Sequence, residues 1–584
     1  MATMKKNPAI KIDRREFLKI SSLCSVGILT GLPNIEASTP TADLVLTNGN
    51  IITVDSKDSI GEAVVVKGGK ILDVGSKKMA LQYIGSSTKI VDLKGKTVTP
   101  GFIDSHAHLP FFGLRENGWF VKLHGILSKD EILEMLAERV RKTSKGGWIS
   151  AWGIENPSLS FLDKNDLDRV TTDHPMLVVH TSGQWGFSNS SALRIAGIEQ
   201  NTPDPPGSKI GKNPSTKEPT GLLIHYPALH LVRQHMPEPD ETQAQDALLF
   251  AANLYAAEGV TTVHDNFFVL NQPLFQRAYF KLLRSKRMPL RVKIWPYIPN
   301  YRAAMWVVDN LFGSGRSEIG ELTLYRRRYS KLFDSLWGGF KIAVDGGDTT
   351  SLWYDNPYSI SLQRAEELNN MFKLFHGAGH QVSIHAAGDK AVDVILDAIE
   401  TANKEKSREN HRHRIEHAVS PPTRSLERIK RLGVVISTHP QWFFSWGDKW
   451  HLVKKLELQG QKSIPIKSYL KNDIPVAMGA DPPAFPMYQP QIALWQAGTR
   501  TTRGGYRYDN EESISIREAL RVQTMGSAYA AFQEKELGSI EKGKLADMVV
   551  WDKDFYTISI DQIKDVKALL TIVGGKIFHE KKEG

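Results

Sequence analysis

The chain opens its regular patterning with short, β-rich segments. Ala42 to Val98 mixes alternating and clustered apolar residues, with Asn48-Gly49-Asn50 predicting a turn and Gly68-Gly69 predicting the tip of a hairpin. Farther on, eight short apolar runs recur, most of them separated by segments of helical period. The first is Thr97–His108, expected as one buried strand built on Val98, Phe102 and Ile103. The others are residues 259–266, 289–298, 338–347, 380–389, 413–418, 433–440 and 474–483. Helical period predicts helices over Ser128–Arg141, Thr242–Glu258, Arg364–His376 and Lys390–Asn403, and another begun near Asn189-Ser190. Thr202–Gly221, rich in Pro and Gly, is expected as a loop. Asp389 is expected as the N-cap of its helix. After Leu537 the β-rich character returns, with a second predicted turn at Gly574-Gly575.

Alternating strands and helices argue for a parallel sheet with right-handed crossovers. Eight such strands predict a (β/α)8 barrel of the TIM type over residues 99–533. An insertion follows the first strand, over residues 109–241. Strands 42–98 and 534–584, from the two chain ends, most simply form one small β-sandwich. No fixed repeat length exists, which excludes a solenoid. Nearly every run ends in polar residues, at the end where barrel enzymes place their active sites.

Composition adds little until the charge is localised. The 584 residues are 41% hydrophobic and 24% charged, ordinary for a soluble enzyme. The formal charge is +10; residues 1–37 hold six basic against three acidic residues, or +3, and the remaining +7 is dispersed. Nucleic-acid binding is therefore unsupported. The apolar stretch Ile20–Leu32 is too short and too rich in Ser and Gly to span a bilayer. With the basic residues before it, it fits an export signal over residues 1–37, and Arg14-Arg15-Glu16-Phe17-Leu18-Lys19 resembles the twin-arginine motif, although Asp13 stands where Ser or Thr is usual. The resemblance implies the twin-arginine export machinery as a partner and a periplasmic or equivalent extracytoplasmic location. The single cysteine, Cys24, lies in this segment, so the remainder offers neither thiolate nucleophile nor thiolate ligand.

The candidate chemistry sits at the strand ends. His106 and His108, two apart on a strand, can face one point, and neutral imidazole is the commonest protein metal ligand. Lys341, His385, His417 and Asp481 end the fourth, fifth, sixth and eighth runs. Each alone has an ordinary structural explanation; their joint order does not. With Pro100-Gly101-Phe102-Ile103-Asp104 before it, the His106/His108 pair resembles the first barrel strand of the amidohydrolase superfamily. The six residues together follow the ligand order of its binuclear members, and Leu537–Asp547 matches their C-terminal pattern. The block after His108 resembles the branch that includes N-substituted formamide deformylases. Ser182-Gly183-Gln184 stands where those relatives commonly have Asp-Gly-His.

The resemblance implies two divalent metals, zinc or else iron, manganese or cobalt, bridged by a carboxylated Lys341. His106, His108 and Asp481 would hold one, and His385 and His417 the other. A shared hydroxide would attack a carbonyl, with Asp481 as catalytic base and then acid. The absence of Glu shortly after His385, together with Lys341, favours an amide-type hydrolase over a deaminase. The expected reaction is hydrolysis of a carbon–nitrogen bond other than a peptide bond, in a small-molecule amide, formamide or cyclic imide. Ester or lactone hydrolysis on the same site, or a barrel that binds without turnover, are the alternatives. His264 and His439 are weaker candidates for substrate contact. Trp442, Phe443, Phe444 and Trp446 are expected to pack, with a pocket wall as the lesser option. Arg500, Arg503 and Arg507 are expected in a solvated loop rather than as a carboxylate clamp.

Overall fold

A glycine divides the opening apolar run. In the computed structural model, Thr97–Pro100 and Phe102–Ala107 are separate strands of different sheets, not one strand. Gly101 makes the passage between them: a Cβ there would lie 2.1 Å from Thr261 Oγ1. The structure describes residues 40–126, 128–156, 158–269, 273–312, 321–346, 351–354, 361–447 and 462–581. The twin-arginine segment, Arg14, Arg15 and Cys24 lie outside the described residues.

Both chain ends contribute to one eight-stranded sheet. Thr97–Pro100 pairs in parallel with Leu44–Ile52 on one side and antiparallel with Met548–Trp551 on the other. The hairpin Ile60–Lys67/Lys70–Gly75 turns at Gly68-Gly69, and Ala568–Val573/Lys576–Glu580 turns at Gly574-Gly575. All four glycines have positive φ, which they adopt without a Cβ clash. Asn48-Gly49-Asn50 is not a turn. It lies within Leu44–Ile52, where a register shift between Thr47 and Ile51, with Asn48 at φ 63°, absorbs the irregularity as a bulge.

All eight expected runs supply a barrel strand. In order these are Phe102–Ala107, Val260–Val269, Arg291–Tyr297, Phe340–Ala343, Val382–Ala386, Arg414–His417, Val435–Thr438 and Val476–Met478. Each is parallel to the next. At the mouth, the eighth strand is tied back to the first. The Asp481 N–H donates to His106 O at 2.7 Å, and the His108 N–H donates to Pro482 O at 3.0 Å.

The crossover helices follow their apolar stripes. Asp389–Glu405 buries Ala391, Val392, Ile395, Leu396, Ala398, Ile399 and Ala402, spaced to cover one face. Asp389 is the first residue of this helix and not its cap; Gly388 is the cap, and Asp389 Oδ1 instead accepts the Tyr354 N–H at 3.0 Å. Glu241–Ala257 starts with a reciprocal capping box between Asp240 and Gln243.

Between the first two barrel strands the chain builds a six-stranded sheet with its own apolar core. Thr202–Gly221 is not wholly a loop: it contains the strand Lys209–Lys212 and the start of Pro219–Ile224, which pair as a hairpin. The first of these strands buries Ile210 alone, too weak a pattern to stand out against the surrounding Pro and Gly. Among the described residues, no helix is long and apolar enough to cross a membrane.

Candidate active site

Six side chains from five strands line one cleft: His106, His108, Lys341, His385, His417 and Asp481. The separation of their positions in sequence, 106 to 481, is cancelled by the barrel's parallel order. Two of them sit at strained backbone, His417 at φ 75° and Asp481 at φ 53°. Left-handed backbone at non-glycine residues costs about 1–3 kcal/mol each and persists where surrounding structure enforces it.

Asp481 is the hub. Its Oδ1 lies 3.0 Å from His108 Nε2 and 3.7 Å from His106 Nε2, and its Oδ2 lies 4.0 Å from His417 Nδ1. Ligand atoms of His106, His108 and Asp481 lie within 4.8 Å of one another, as do those of His106, His417 and His439. His385 lines the same cleft, its ring centroid 4.3 Å from that of His417. Its Nε2 faces the carbonyl of Gly346 at 3.0 Å and Asp345 Oδ1 at 3.5 Å.

Electrostatics favour neutral imidazoles. Burial, with the nearby Lys341 charge, holds His106 well below the ordinary value and His385 at about 4, and burial and neighbouring imidazoles do the same to His417. Among the described residues, both ring nitrogens of His417 and the Nε2 of His439 are buried without a hydrogen-bond partner. So is Lys341 Nζ. Burial brings the lysine down to about 8, although Glu416 and Asp481 pull the other way. Buried donors and acceptors left in this state are costly unless a further group completes them. A cluster of neutral imidazole nitrogens, a carboxylate and a partnerless lysine is a donor set that fits divalent metal.

Three supporting carboxylates were not singled out from sequence. Glu416 Oε2 lies 2.6 Å from His106 Nδ1, which turns Nε2 toward the cleft. Arg414 Nε pairs with Glu416 Oε1 at 2.8 Å, and Ser383 donates to the same carboxylate at 2.7 Å. Burial alone would raise the Glu416 carboxyl; Arg414 and Lys341 outweigh it and hold it below its usual value. Asp104 accepts the backbone N–H of His106 and of Ala480, each at 3.0 Å, and the Tyr255 hydroxyl at 2.7 Å. Asp345 accepts the amides of Leu352, Ala387 and Gly388 at 2.9–3.1 Å. Burial pushes both aspartates up to about 7. A wholly buried strand that carries Arg, Glu and His beside a single Ile, as Arg414–His417 does, is the signal that marks such a group.

The weaker candidates fall elsewhere. His264 is fully buried beside Arg414 and Trp295, away from the cleft lining. His439 also lies off the lining; its Nδ1 faces Gly479 O at 2.9 Å behind His106 and His417. Trp442 stacks on His417 with ring centroids 5.7 Å apart, and Phe443 packs against Arg500. The Trp446 side chain lies outside the described residues. Arg500 is not in a solvated loop: it is buried and donates to the carbonyls of Ser463, Ile464 and Tyr508. The aromatic cleft walls come from Phe111, Trp152, Tyr226 and Tyr297 instead.

A parallel barrel carrying this cluster at its mouth defines the protein as an enzyme, a metal-dependent hydrolase. The sequence profile of the Amidohydrolase family matches residues 89–579, and the chain belongs to that family. It is 34% identical over 564 residues to Protein LONG AFTER FAR-RED 3 of Arabidopsis thaliana, covering 92% of this chain and 91% of that protein. It is 28% identical to the N-substituted formamide deformylase of Arthrobacter pascens, covering 92% of this chain and 98% of the relative. An uncharacterized metal-dependent hydrolase from Pyrococcus horikoshii OT3 shares the fold, with a TM-score of 0.66 at 23% identity over 89% of this chain and 99% of that one.

Proposed function

We propose that the chain hydrolyses a carbon–nitrogen bond other than a peptide bond, in an amide, formamide or cyclic imide. The observation that carries this reading is the convergence of six side chains from five strands on one cleft, with Lys341 Nζ buried among them and without a partner among the described residues. The similarity to a relative named N-substituted formamide deformylase, along almost the whole of both chains, supports an N-acyl carbonyl as the reacting group. His106, His108 and Asp481 would hold one divalent ion, zinc in our reading, and His385 and His417 a second, with Lys341 carboxylated between them. Bound there, such ions supply Lewis acidity toward a carbonyl and acidify water.

The chain's own residues do the rest. Glu416 fixes the tautomer of His106, and Asp104 holds the backbone of His106 and Ala480 together, so that His106 and Asp481 keep their spacing. Asp481 carries the proton: its carboxylate accepts it from the attacking water and returns it to the departing nitrogen. We further propose that residues 1–37 direct the protein to the periplasm or an equivalent space.

Metal analysis of purified protein, followed by a panel of amides, formamides and lactones, tests the reading. Two ions per chain with turnover of the amides or formamides is the expected result. Turnover of lactones alone would make it an ester hydrolase, and small-molecule binding with no metal and no turnover would make it a binding barrel.

A further inference from the structure

A second compartment adjoins the cleft, and the two share Phe111, Trp152, Tyr226 and Arg233. The outer compartment is mostly apolar, with Trp119, Phe120 and Met236 among its walls. The Phe111 and Trp152 rings stack at 6.1 Å, and Phe120 lies 5.9 Å from Trp152. Opposite, Tyr226 stands edge-on to Tyr297 at 6.1 Å, and Tyr297 is the register partner of Lys341. Two tyrosine rings therefore lead from the ligand cluster to Arg233.

Arg233 is placed as a cation awaiting a partner. Its guanidinium carbon lies 5.1 Å from the Phe111 ring centroid and 5.8 Å from that of Tyr226. Arg233 is half-buried; among the described residues its guanidinium makes neither an ion pair nor a hydrogen bond, and its surroundings depress its basicity through burial. Glu238, on the exposed rim of the outer compartment, forms no ion pair with it. The fully buried arginines differ: Arg115 donates to Glu116 and to the Pro483 carbonyl, and Arg414 is paired with Glu416. Aromatic faces offset part of the cost of an enclosed guanidinium but leave its in-plane N–H groups unused. A planar fork of donors matches a carboxylate bidentately.

We propose that Arg233 is a specificity-determining residue that binds a carboxylate on the substrate. The substrate class is then an N-acyl compound whose apolar or aromatic body lies among Phe111, Trp152 and Tyr226 while its scissile carbonyl reaches the ligand cluster. This inference rests on the hydrolase reading above.

Binding and turnover are measured separately on metal-loaded protein. 3-Phenylpropanoate and its neutral analogue 3-phenylpropan-1-ol are titrated calorimetrically into wild type and Arg233→Met. The wild type is expected to bind the carboxylate more tightly than the alcohol. Arg233→Met should lose about 10–100-fold in carboxylate affinity, the range for a hydrogen-bonded charge pair, with alcohol binding and metal content unchanged. Should Arg233→Met not fold, Arg233→Gln, similar in length and polar, is read the same way. A carboxylate preference that survives the substitution would place the anion on the metal ions and overturn the proposal. An equal loss for both ligands would assign Arg233 to packing and overturn it too. A carboxylate preference that depends on Arg233, without turnover of any panel compound, leaves this inference standing and removes the hydrolytic reading instead.

Discussion

At the scale of single residues, Lys341 bears most of the binuclear reading. Its strand, Phe340–Ala343, is buried throughout, and among the described residues Nζ has no hydrogen-bond partner. A lysine retained there purely for packing would be replaceable by a smaller apolar side chain. If it is a carboxylated bridge, Lys341→Ala should lose one or both ions and nearly all activity, with partial rescue by acetate or propionate. Asp481→Ala should resist such rescue, because the side chain would be lost both as a ligand and as a proton carrier. Two ions and normal turnover in Lys341→Ala would leave a mononuclear site built on the histidines and Asp481. Glu416 offers a complementary test. Partners that orient a metal-binding histidine are typically worth about 10–100-fold in metal affinity. Glu416→Gln should weaken metal retention in a chelator titration by that range, and unchanged retention would reduce its hydrogen bond to His106 to a structural role. The six cleft residues were legible in sequence because each lies on or just after an apolar run. Their supports were not: Asp104 and Asp345 acquire meaning from amides and hydroxyls contributed by distant segments, as Tyr255 is for Asp104.

At the scale of elements, sequence periodicity located every barrel strand and four of the longer helices, though not Pro273–Arg284, since burial of one stripe or one strand writes a strong pattern. It did not reveal the break at Gly101, because both flanking strands are buried and read as one apolar run. Nor did it find the short strand Lys209–Lys212, which tertiary pairing makes extended. Polar anchors between elements were equally hidden, and Glu512 illustrates one. It accepts the backbone N–H of Ser468 at 2.8 Å and its hydroxyl at 2.6 Å, in the first turn of the helix Ile466–Lys471, and pairs with Lys462 at 2.7 Å. Burial alone would raise its carboxyl, but the hydrogen bonds from Lys462 and Ser468 prevail and hold it below the ordinary value of 4.5. A depressed carboxylate contributes stability above its unfolded value, and that contribution is lost as pH falls through the folded value. Glu512→Gln should therefore lower the denaturant midpoint at pH 7, at a cost of about 1–3 kcal/mol. The gap to wild type should narrow below pH 4. A gap that is constant from pH 7 to pH 3 would mean that the charge of Glu512 contributes nothing.

At the scale of the whole molecule, the ligand set imposes an order of events. His106 and Asp481 meet only when the eighth strand is tied to the first, through the Asp481 and His108 backbone hydrogen bonds. If these residues hold metal as proposed, the complete site forms only once nearly the whole barrel has. An export route that threads an unfolded chain would leave metal loading to the far side of the membrane; one that carries folded proteins would allow it beforehand. We propose that Arg14-Arg15 serves the second kind of route. Replacing both arginines by lysine preserves charge while removing the paired-arginine feature, so the substitution tests recognition. In fractionated cells the double variant should accumulate in the cytoplasm, already loaded with metal and as active per chain as the exported wild type. Export at the wild-type level would mean that the first 37 residues are not a twin-arginine signal. Retention of a metal-free protein would separate the two halves of the argument, leaving the signal intact and placing metal acquisition after transport.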